Sequence, residues 1–292
     1  MAHSDPALAQ EFPLLAAELD QAEALVHSAG WNQVAADWRI FLDLGTVYAV
    51  RNSAGRVVAT AATLPHGGRF AWISMVLVAA EYRRQGLARR LLDRCVRDLT
   101  AKGLVPILDA TPAGRSVYSG IGFQDTWGFQ RLACREVLHG KQPADVPAGT
   151  AIRPITEADW QQLCVYDAAS FGADRGEILK RLRGRVPKAE YAAFRHDRIV
   201  GFLLGRDGLA ATQLGPLVVE DEATALALLD RGLRAIEGPI YVDLADTKVA
   251  LHAWLRQRGF EMQRPFTRMV FGRAESIADP SRTFAVAGPE LG

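Results

Sequence analysis

The chain has 292 residues, more than one hydrophobic core usually organises, so two domains are expected. Apolar residues make up 49% of it and charged residues 23%, which is ordinary for a folded globular protein and excludes a disordered chain. The formal net charge is only +1, so no overall electrostatic field would attract nucleic acid or an anionic membrane.

In the first half, the apolar pattern predicts two helices followed by an antiparallel meander. Helical spacing covers residues 17–29 and 34–44, and Gly30 and Gly45 stand where a helix would stop. Later elements follow in the order strand, strand, strand, helix, strand, short helix and closing strand. Their predicted bounds are 47–50, 56–63, 70–78, 87–103, 105–110, 114–119 and 130–137.

The second half repeats this order. Its predicted helices and strands are helices 157–171 and 175–183, strands 191–195, 199–204 and 213–219, helix 224–236, strand 240–244 and helix 249–258. Gly122-Phe123 and Gly259-Phe260 close equivalent helices, which indicates two copies of one fold. The expected class is therefore α+β, with two tandem domains that each have a mixed, mostly antiparallel sheet flanked by helices.

The domain boundaries follow from a polar stretch with two prolines and no periodicity, which predicts a linker. The predicted segments are the first domain at 1–139, the linker at 140–150, the second domain at 151–273 and a C-terminal tail at 274–292. Within the tail, residues 283–287 are apolar enough to pack as a short strand.

The segment with the clearest chemistry is a strand that runs into Arg83-x-x-Gly86-x-Ala88 and then directly into a helix. Such a crossing leaves backbone amides unpaired at the positive end of the helix dipole, an arrangement that suits a pyrophosphate. Small side chains at Gly86 and Ala88 leave room for phosphate oxygens to approach the backbone. Arginines also exceed carboxylates around the turn, so a polyanionic partner is expected.

This segment resembles the acetyl-CoA signature of the GNAT superfamily of N-acetyltransferases, Arg/Gln-x-x-Gly-x-Gly/Ala after an apolar strand. A second motif lies downstream, where Tyr118-Ser-Gly-Ile-Gly-Phe123 is similar to the superfamily's Tyr-x-x-x-Gly-Phe. The resemblance covers the first half in element order. It implies a tandem GNAT protein with an active first domain.

The resemblance also implies a role for each matching residue. The backbone of Val76, Leu77 and Val78 would pair with the pantetheine arm and the thioester carbonyl. The pyrophosphate would be held by Arg83, Arg84, Gln85, Gly86, Leu87, Ala88 and Arg89. Tyr118 would protonate the departing thiolate, the alternative being an aromatic side chain that fills the wall of the cleft.

The general base is open between several groups. Asp109 lies where some superfamily members carry an acidic base, although Thr111-Pro112 nearby favours a turn or helix-capping role. Glu81 acting through water and a chain of water molecules are the alternatives. No serine or cysteine stands in a nucleophile motif, so direct attack by the amine is preferred to an acyl-enzyme.

The second copy has lost both motifs. Three carboxylates, Glu220-Asp221-Glu222, stand where the first copy has its glycine turn, and they would repel phosphate. Leu255 takes the position of Tyr118. The second copy is therefore interpreted as a degenerate GNAT-type domain that supplies a substrate wall, a packing partner or a sensor site.

Substrate recognition is expected from the first two helices and the groove between the domains. Trp31 would form a wall of the amine pocket, Asn32 lies beside it, and Asp37 would attract a cation. Trp38 at helical spacing is more typical of a core residue.

The predicted activity is acetyl-CoA-dependent transfer of acetyl to a primary amine of a small molecule. The alternatives are acetylation of a protein lysine or N-terminus, and a non-catalytic acyl-CoA-binding regulatory module. The three cysteines, Cys95, Cys134 and Cys164, lack CxxC spacing, which argues against a zinc site and fits a reducing compartment. No secretory leader or apolar span of roughly 20 residues is recognisable, so we expect a cytoplasmic protein with no metal, nucleic-acid or membrane partner.

Overall fold

The structure is a computed structural model that describes residues 10–277 and 279–292. The first nine residues of the predicted first domain and residue 278 of the predicted tail lie outside the described residues. The chain forms two compact units. The first extends to Leu108 and includes Gly208–Ala210, and the second contains Asp109–Asp207 and Ala211–Gly292.

The first unit has an antiparallel sheet with one parallel addition at its end. Strands β1 to β5 lie side by side in chain order, and only β4 and β5 run parallel. The bounds are β1 Phe12–Pro13, α1 Leu19–Ala29, α2 Ala35–Leu44, β2 Thr46–Arg51, β3 Val57–His66, β4 Phe70–Val78, α3 Leu87–Ala101 and β5 Val105–Ala110. The division between the units falls inside β5.

Helix α3 shows why the sequence pattern specifies this packing. Its buried residues recur at helical spacing, while arginines and aspartates occupy the exposed face. The buried set is Leu87, Leu91, Leu92, Cys95, Val96 and Leu99. Because Leu87 is buried at the first position, the helix begins against the sheet and its first turn lies beside the end of β4.

The second unit contains the remaining elements. They are α4 Pro112–Ser119, β6 Phe123–Cys134, β7 Thr150–Pro154, α5 Trp160–Phe171, α6 Gly176–Leu182, β8 Tyr191–Arg195, β9 Arg198–Arg206, β10 Thr212–Val219, α7 Glu222–Arg234, β11 Ile240–Ala245, α8 Val249–Arg256, β12 Glu261–Phe271 and β13 Thr283–Ala285. The strand order is β12-β6-β11-β13-β10-β9-β8-β7, and β10 also pairs in parallel with the start of β11.

The mixed, mostly antiparallel α+β class is confirmed, and each predicted helix corresponds to an observed one. The closing strand of the first half is longer and earlier than predicted, at Phe123–Cys134 instead of 130–137, because its first residues are polar and pair with β12. Strands β1, β7 and β12 were not predicted. The tail strand ends at Ala285, short of the predicted residue 287.

The compact units are divided at a different place from the predicted sequence halves. Strand β6 lies in the first half of the sequence, yet it pairs with both β11 and β12. The boundaries at 1–139 and 151–273 describe where the sequence repeats, and they stay a prediction. The compact units are divided elsewhere, after Leu108.

Candidate active site

An eight-residue connection, residues 79–86, joins β4 to α3 in the first unit. After a single 3-10 turn at Ala80–Tyr82, the backbone enters the left-handed region at Arg84 (φ 60°) and again at Gly86 (φ 80°). Gly86 is the N-cap of α3, and a side chain built on it would meet no atom within 4 Å. The turn is therefore open, with its surface residues from Arg83 to Gly86 exposed.

The amides of this turn are unused by the protein. Among the described residues, none accepts a hydrogen bond from the six backbone amides from Arg84 to Arg89. The first amide that is engaged belongs to Arg90, which donates to the carbonyl of Gly86 at 3.0 Å. Exposed unpaired amides at a helix start, next to two left-handed residues, form an anion-binding concavity.

The arginines around the turn divide into paired and unpaired groups. Arg89 donates to Asp93 at 3.0 Å and Arg90 to Glu11 at 2.7 Å, so part of the positive excess is neutralised within the protein. Arg83 donates to the carbonyl of Val78 at 3.2 Å and forms no ion pair with any described residue. Arg84 likewise has no carboxylate partner in residues 10–277 or 279–292. These two exposed guanidinium groups supply the positive charge of the site.

Beside the turn, β4 and β5 separate. Their parallel pairing covers only Phe70–Trp72 against Val105–Ile107, although β4 continues to Val78. On the other side of β4, the register shifts because Met75 and Val76 together oppose one residue of β3. Met75 has a left-handed φ of 51°.

The free edge of β4 faces this opening. The amide of Ala79 donates to the carbonyl of Val58 on β3 at 2.9 Å. Since the carbonyl and amide of one trans peptide point in opposite directions, the carbonyl of Val78 points away from β3. The carbonyl of Val78, which also accepts from Arg83 at 3.2 Å, therefore lies on the side of β4 that an extended ligand in the opening would use.

The second unit has the equivalent opening, and there the chain's own tail occupies it. Strands β10 and β11 pair in parallel only at Thr212–Leu214 with Ile240–Val242. Strand β13 then lies between them and pairs antiparallel with both. The amide of Val219, which corresponds to Val78, donates to the carbonyl of Arg282 at 3.0 Å.

The connection that follows β10 is also different. Only residues 220–221 separate β10 from α7, against the eight residues of the first copy. Asp221 caps α7 and accepts from the amide of Thr224 at 2.8 Å, while Arg195 donates to its other oxygen at 2.8 Å. A carboxylate thus takes the place at the helix start that would be needed by a phosphate.

The repeat extends to single hydrogen bonds. Gln21 on α1 accepts from the amide of Val57 at 2.8 Å, and Gln162 on α5 accepts from the amide of Ile199 at 2.8 Å. In both copies this bond joins the first helix to the second strand of the hairpin. The two copies therefore share local geometry as well as element order.

Tyr118 lies on α4, in the second unit, with its side chain half-buried. Burial raises the pKa of its hydroxyl, and that hydroxyl has no hydrogen-bond partner among the described residues. The ring packs edge-on against Phe123, with 6.3 Å between the ring centroids. Gly114 lies one turn earlier, where a Cβ would stand 2.8 Å from the ring, so glycine there lets the ring lie flat along the helix.

Asp109 forms a buried bidentate ion pair that the sequence did not indicate. Arg268 on β12 donates to its two oxygens at 2.8 and 2.9 Å, and the guanidinium also stacks on Trp127 at 4.5 Å. The helix-capping role considered for Asp109 is wrong, because Thr111 is the N-cap of α4 and accepts from the amide of Gly114. A carboxylate that accepts from a guanidinium through both oxygens is poorly suited to take a proton from an amine.

The other groups considered for proton or acyl transfer are also engaged. Glu81 accepts from Arg56 at 2.8 Å, and its own backbone amide, more than this contact, lowers the pKa of its carboxyl group. Burial raises the pKa of Cys95, Cys134 and Cys164 alike, so these thiols are protonated near neutral pH. Direct attack by the amine agrees with these surroundings.

The residues predicted to contact the substrate are mostly used by the first unit itself. Asn32 is buried, and its side-chain oxygen accepts from the amide of Ala210 at 2.9 Å. Asp37 is fully buried and accepts from the amide of Val34 at 3.0 Å, which caps α2. Trp31 is half-exposed. This geometry favours structural roles for Asn32 and Asp37 and leaves Trp31 accessible.

Arg268 is the residue of this region that sequence reasoning missed. It lies 159 positions from Asp109, on a strand whose alternation is interrupted by Pro265 and by polar residues. A signal for the strand was the short apolar run Met269–Phe271 at the end of β12, which follows Phe266 after two intervening residues.

Within the described part of the chain, no group of three or more histidine, cysteine or carboxylate side chains is arranged to hold a metal ion. The described helices are all too short or too polar to cross a membrane. Leu255, at the position equivalent to Tyr118, is fully buried in the core of the second unit.

An open helix start with free amides, next to a strand edge, is an arrangement that can hold a phosphate-bearing, extended ligand. Comparison with known families agrees. The acetyltransferase (GNAT) family matches residues 14–123, and an acetyltransferase (GNAT) domain matches residues 163–285. The chain belongs to the GNAT superfamily, carries two GNAT-type domains and is an acetyltransferase.

Individual relatives match most of this chain and most of their own length. The curated relative named "Uncharacterized N-acetyltransferase YitH", from Bacillus subtilis, is 25% identical over 237 residues, which are 81% of this chain and 82% of the relative. A Pyrococcus horikoshii protein solved as a candidate acetyltransferase superposes with a TM-score of 0.75 at 16% identity, covering 97% of this chain and 95% of its own. A tandem GNAT protein from the clavulanic acid biosynthesis pathway superposes with a TM-score of 0.62 at 18% identity, covering 89% and 97%.

Proposed function

We propose that the chain transfers the acetyl group of acetyl-CoA to a primary amine of a small molecule, using one cofactor site in its first copy. The observation that carries this proposal is the run of six unused amides from Arg84 to Arg89 at an exposed helix start. Their number and direction suit the two phosphates of a diphosphate, and Arg83 and Arg84 complement its charge.

The strand edge beside the turn supports the same ligand. An extended pantetheine arm carries amide groups that can pair with the backbone of Val76, Leu77 and Val78 as a short strand would. The tail strand β13 provides an internal example, because it pairs in this way with the equivalent edge of β10. The cofactor-binding set therefore stays the one expected from the sequence: Val76, Leu77, Val78, Arg83, Arg84, Gln85, Gly86, Leu87, Ala88 and Arg89.

For the chemistry, two donors expected from the sequence each take a role. The amide of Val76 stabilises the negative charge on the thioester oxygen as the amine attacks, a contribution worth on the order of 10² to 10³ in rate. Tyr118 protonates the departing thiolate, and its raised pKa keeps it protonated at neutral pH. Asp109 is paired with Arg268, so the amine loses its proton to water.

The second copy, in this proposal, holds no cofactor. Strand β13 occupies its strand opening and Asp221 its helix start, so both halves of the cofactor site are filled by the protein. We expect one acetyl-CoA bound per chain. A binding isotherm with two equivalent sites would contradict this assignment.

The test combines binding and turnover. Calorimetry with acetyl-CoA gives affinity and stoichiometry, and free thiol is followed with a panel of amino sugars, aminoglycosides, polyamines and arylalkylamines. Turnover of a panel member with one site per chain supports the proposal. Peptides with free lysines or N-termini form a second panel, and their preferential acetylation would replace the small-molecule assignment. Tight binding with no turnover on either panel would instead support a regulatory acyl-CoA-binding module.

A further inference from the structure

The bulge of β4 is fixed by a side chain on the neighbouring strand. Thr60 on β3 is fully buried, and its hydroxyl donates to the carbonyl oxygen of Met75 at 2.9 Å. Met75 is the left-handed residue of the bulge, with a φ of 51° and a buried side chain. A left-handed backbone costs a non-glycine residue energy, so it persists only where the surroundings hold it.

The hydrogen bond has a direct consequence for the next amide. Met75 and Val76 share one peptide plane, in which the carbonyl of Met75 and the amide of Val76 point in opposite directions. The hydroxyl of Thr60 therefore holds that plane with the Val76 amide directed away from β3. The opposite side of β4 is the one that β5 leaves unpaired beyond Trp72.

We infer that Thr60 is a positioning residue of the transferase: its hydroxyl orients the Val76 amide toward the thioester oxygen. The inference rests on the proposed function, which gives that amide its role. Thr60 does not touch the ligand, and it acts through the Met75–Val76 peptide. An oxyanion donor stabilises the transition state only when its direction is fixed in advance, which is what the hydroxyl provides.

The decisive variant is Thr60→Val, which keeps the shape of the side chain and removes the hydroxyl. We expect kcat to fall about tenfold or more, part of the effect of losing a whole oxyanion donor. The Kd of acetyl-CoA should stay within about twofold, because the diphosphate turn is untouched. Thr60→Ser keeps the donor and should recover most of the rate.

A matched control is Thr63→Val on the same strand. Thr63 is also buried, 4% exposed, and its hydroxyl has no hydrogen bond to any described residue. Loss of this hydroxyl should leave kcat within about twofold. Equal losses in the Thr60 and Thr63 variants would show a general disturbance of β3 and would overturn the inference.

The experiment measures kcat, KM and Kd for acetyl-CoA with the panel amine that turns over fastest, and the ¹⁵N shift of the Val76 amide in each ligand-free variant. A shift that moves in Thr60→Val and returns in Thr60→Ser supports the inference, together with the loss in kcat. Unchanged kcat or an unchanged Val76 shift in Thr60→Val overturns it while leaving the transferase proposal intact. Failure of the parent protein to bind acetyl-CoA refutes the proposed function separately, and the ligand-free shift then still tests whether Thr60 fixes the peptide.

Discussion

Replacing Gly86 with glutamate tests the diphosphate turn with a charge at its centre. The residue is exposed, has a φ of 80° and has no atom within 4 Å of the place that a Cβ would take, so the new side chain fits without a clash. A carboxylate about 5 Å from a bound diphosphate would oppose two charges by about 1.7 kcal/mol in water and about 6.6 kcal/mol at an effective dielectric constant of about 20. Even the smaller repulsion energy, about 1.7 kcal/mol, would raise the Kd of acetyl-CoA about twentyfold.

Backbone strain must be separated from this electrostatic effect. A side chain in the left-handed region costs roughly 1–2 kcal/mol wherever it occurs. Gly55, in the β2–β3 turn, provides the matched control, because it is also exposed, has a φ of 77° and has no atom within 4 Å of a Cβ. Gly55→Glu should therefore lose similar stability and keep its affinity for acetyl-CoA.

Calorimetric titration of both variants with acetyl-CoA, with urea unfolding in parallel, provides the measurement. We expect at least a roughly twentyfold weaker Kd for Gly86→Glu and a Kd within about twofold of the parent for Gly55→Glu. Equal affinities in the two variants would refute the assignment of the turn as the diphosphate site.

Three further predictions concern ionisable groups outside the turn. Tyr118→Phe should lower kcat about 10² to 10⁴-fold and leave the Kd of acetyl-CoA unchanged. Because burial raises the pKa of Tyr118, the parent protein should lose kcat only above about pH 10, and the variant should not show this alkaline loss. Asp109→Ala should cost about 3–5 kcal/mol in urea unfolding by leaving Arg268 buried without its partner, whereas a lost kcat at unchanged stability would restore Asp109 as the base. The pKa of Asp159 is lowered, first by its hydrogen bond from Arg153, so its contribution to folding stability is present above about pH 4 and is lost as the pH falls further. The free energy of unfolding of Asp159→Ala at pH 7 should be lower by about 1–2 kcal/mol, and it should change less between neutral and acid pH. A free energy of unfolding with the same pH dependence as the parent would contradict this.

The sequence was informative where function depends on local backbone. The turn at Gly86 could be predicted because a strand, a glycine and an amphipathic helix follow one another directly, and each leaves its own local pattern. The repeat was visible for the same reason. Its strand and helix order is local, and Gln21 and Gln162 even keep equivalent hydrogen bonds.

Features that join distant segments could not be predicted in the same way. The ion pair of Asp109 depends on β12, whose polar residues and proline hide the strand alternation. The tail was expected to pack as a strand, but the apolar pattern of a strand does not indicate which strands it pairs with. The structure shows that β13 pairs with both β10 and β11. Asn32 and Asp37 were interpreted as substrate contacts because a polar residue, whether in a loop like Asn32 or in the first turn of a helix like Asp37, does not show in the sequence which backbone amide it accepts from.

The most direct test of the transferase proposal is a crystal structure of the protein with acetyl-CoA. We predict that diphosphate oxygens lie within about 3.2 Å of backbone nitrogens between Arg84 and Arg89, with the acyl carbonyl at the amide of Val76 and no ligand beside β13. Acetyl-CoA bound at another place, with these amides still exposed to water, would contradict the account.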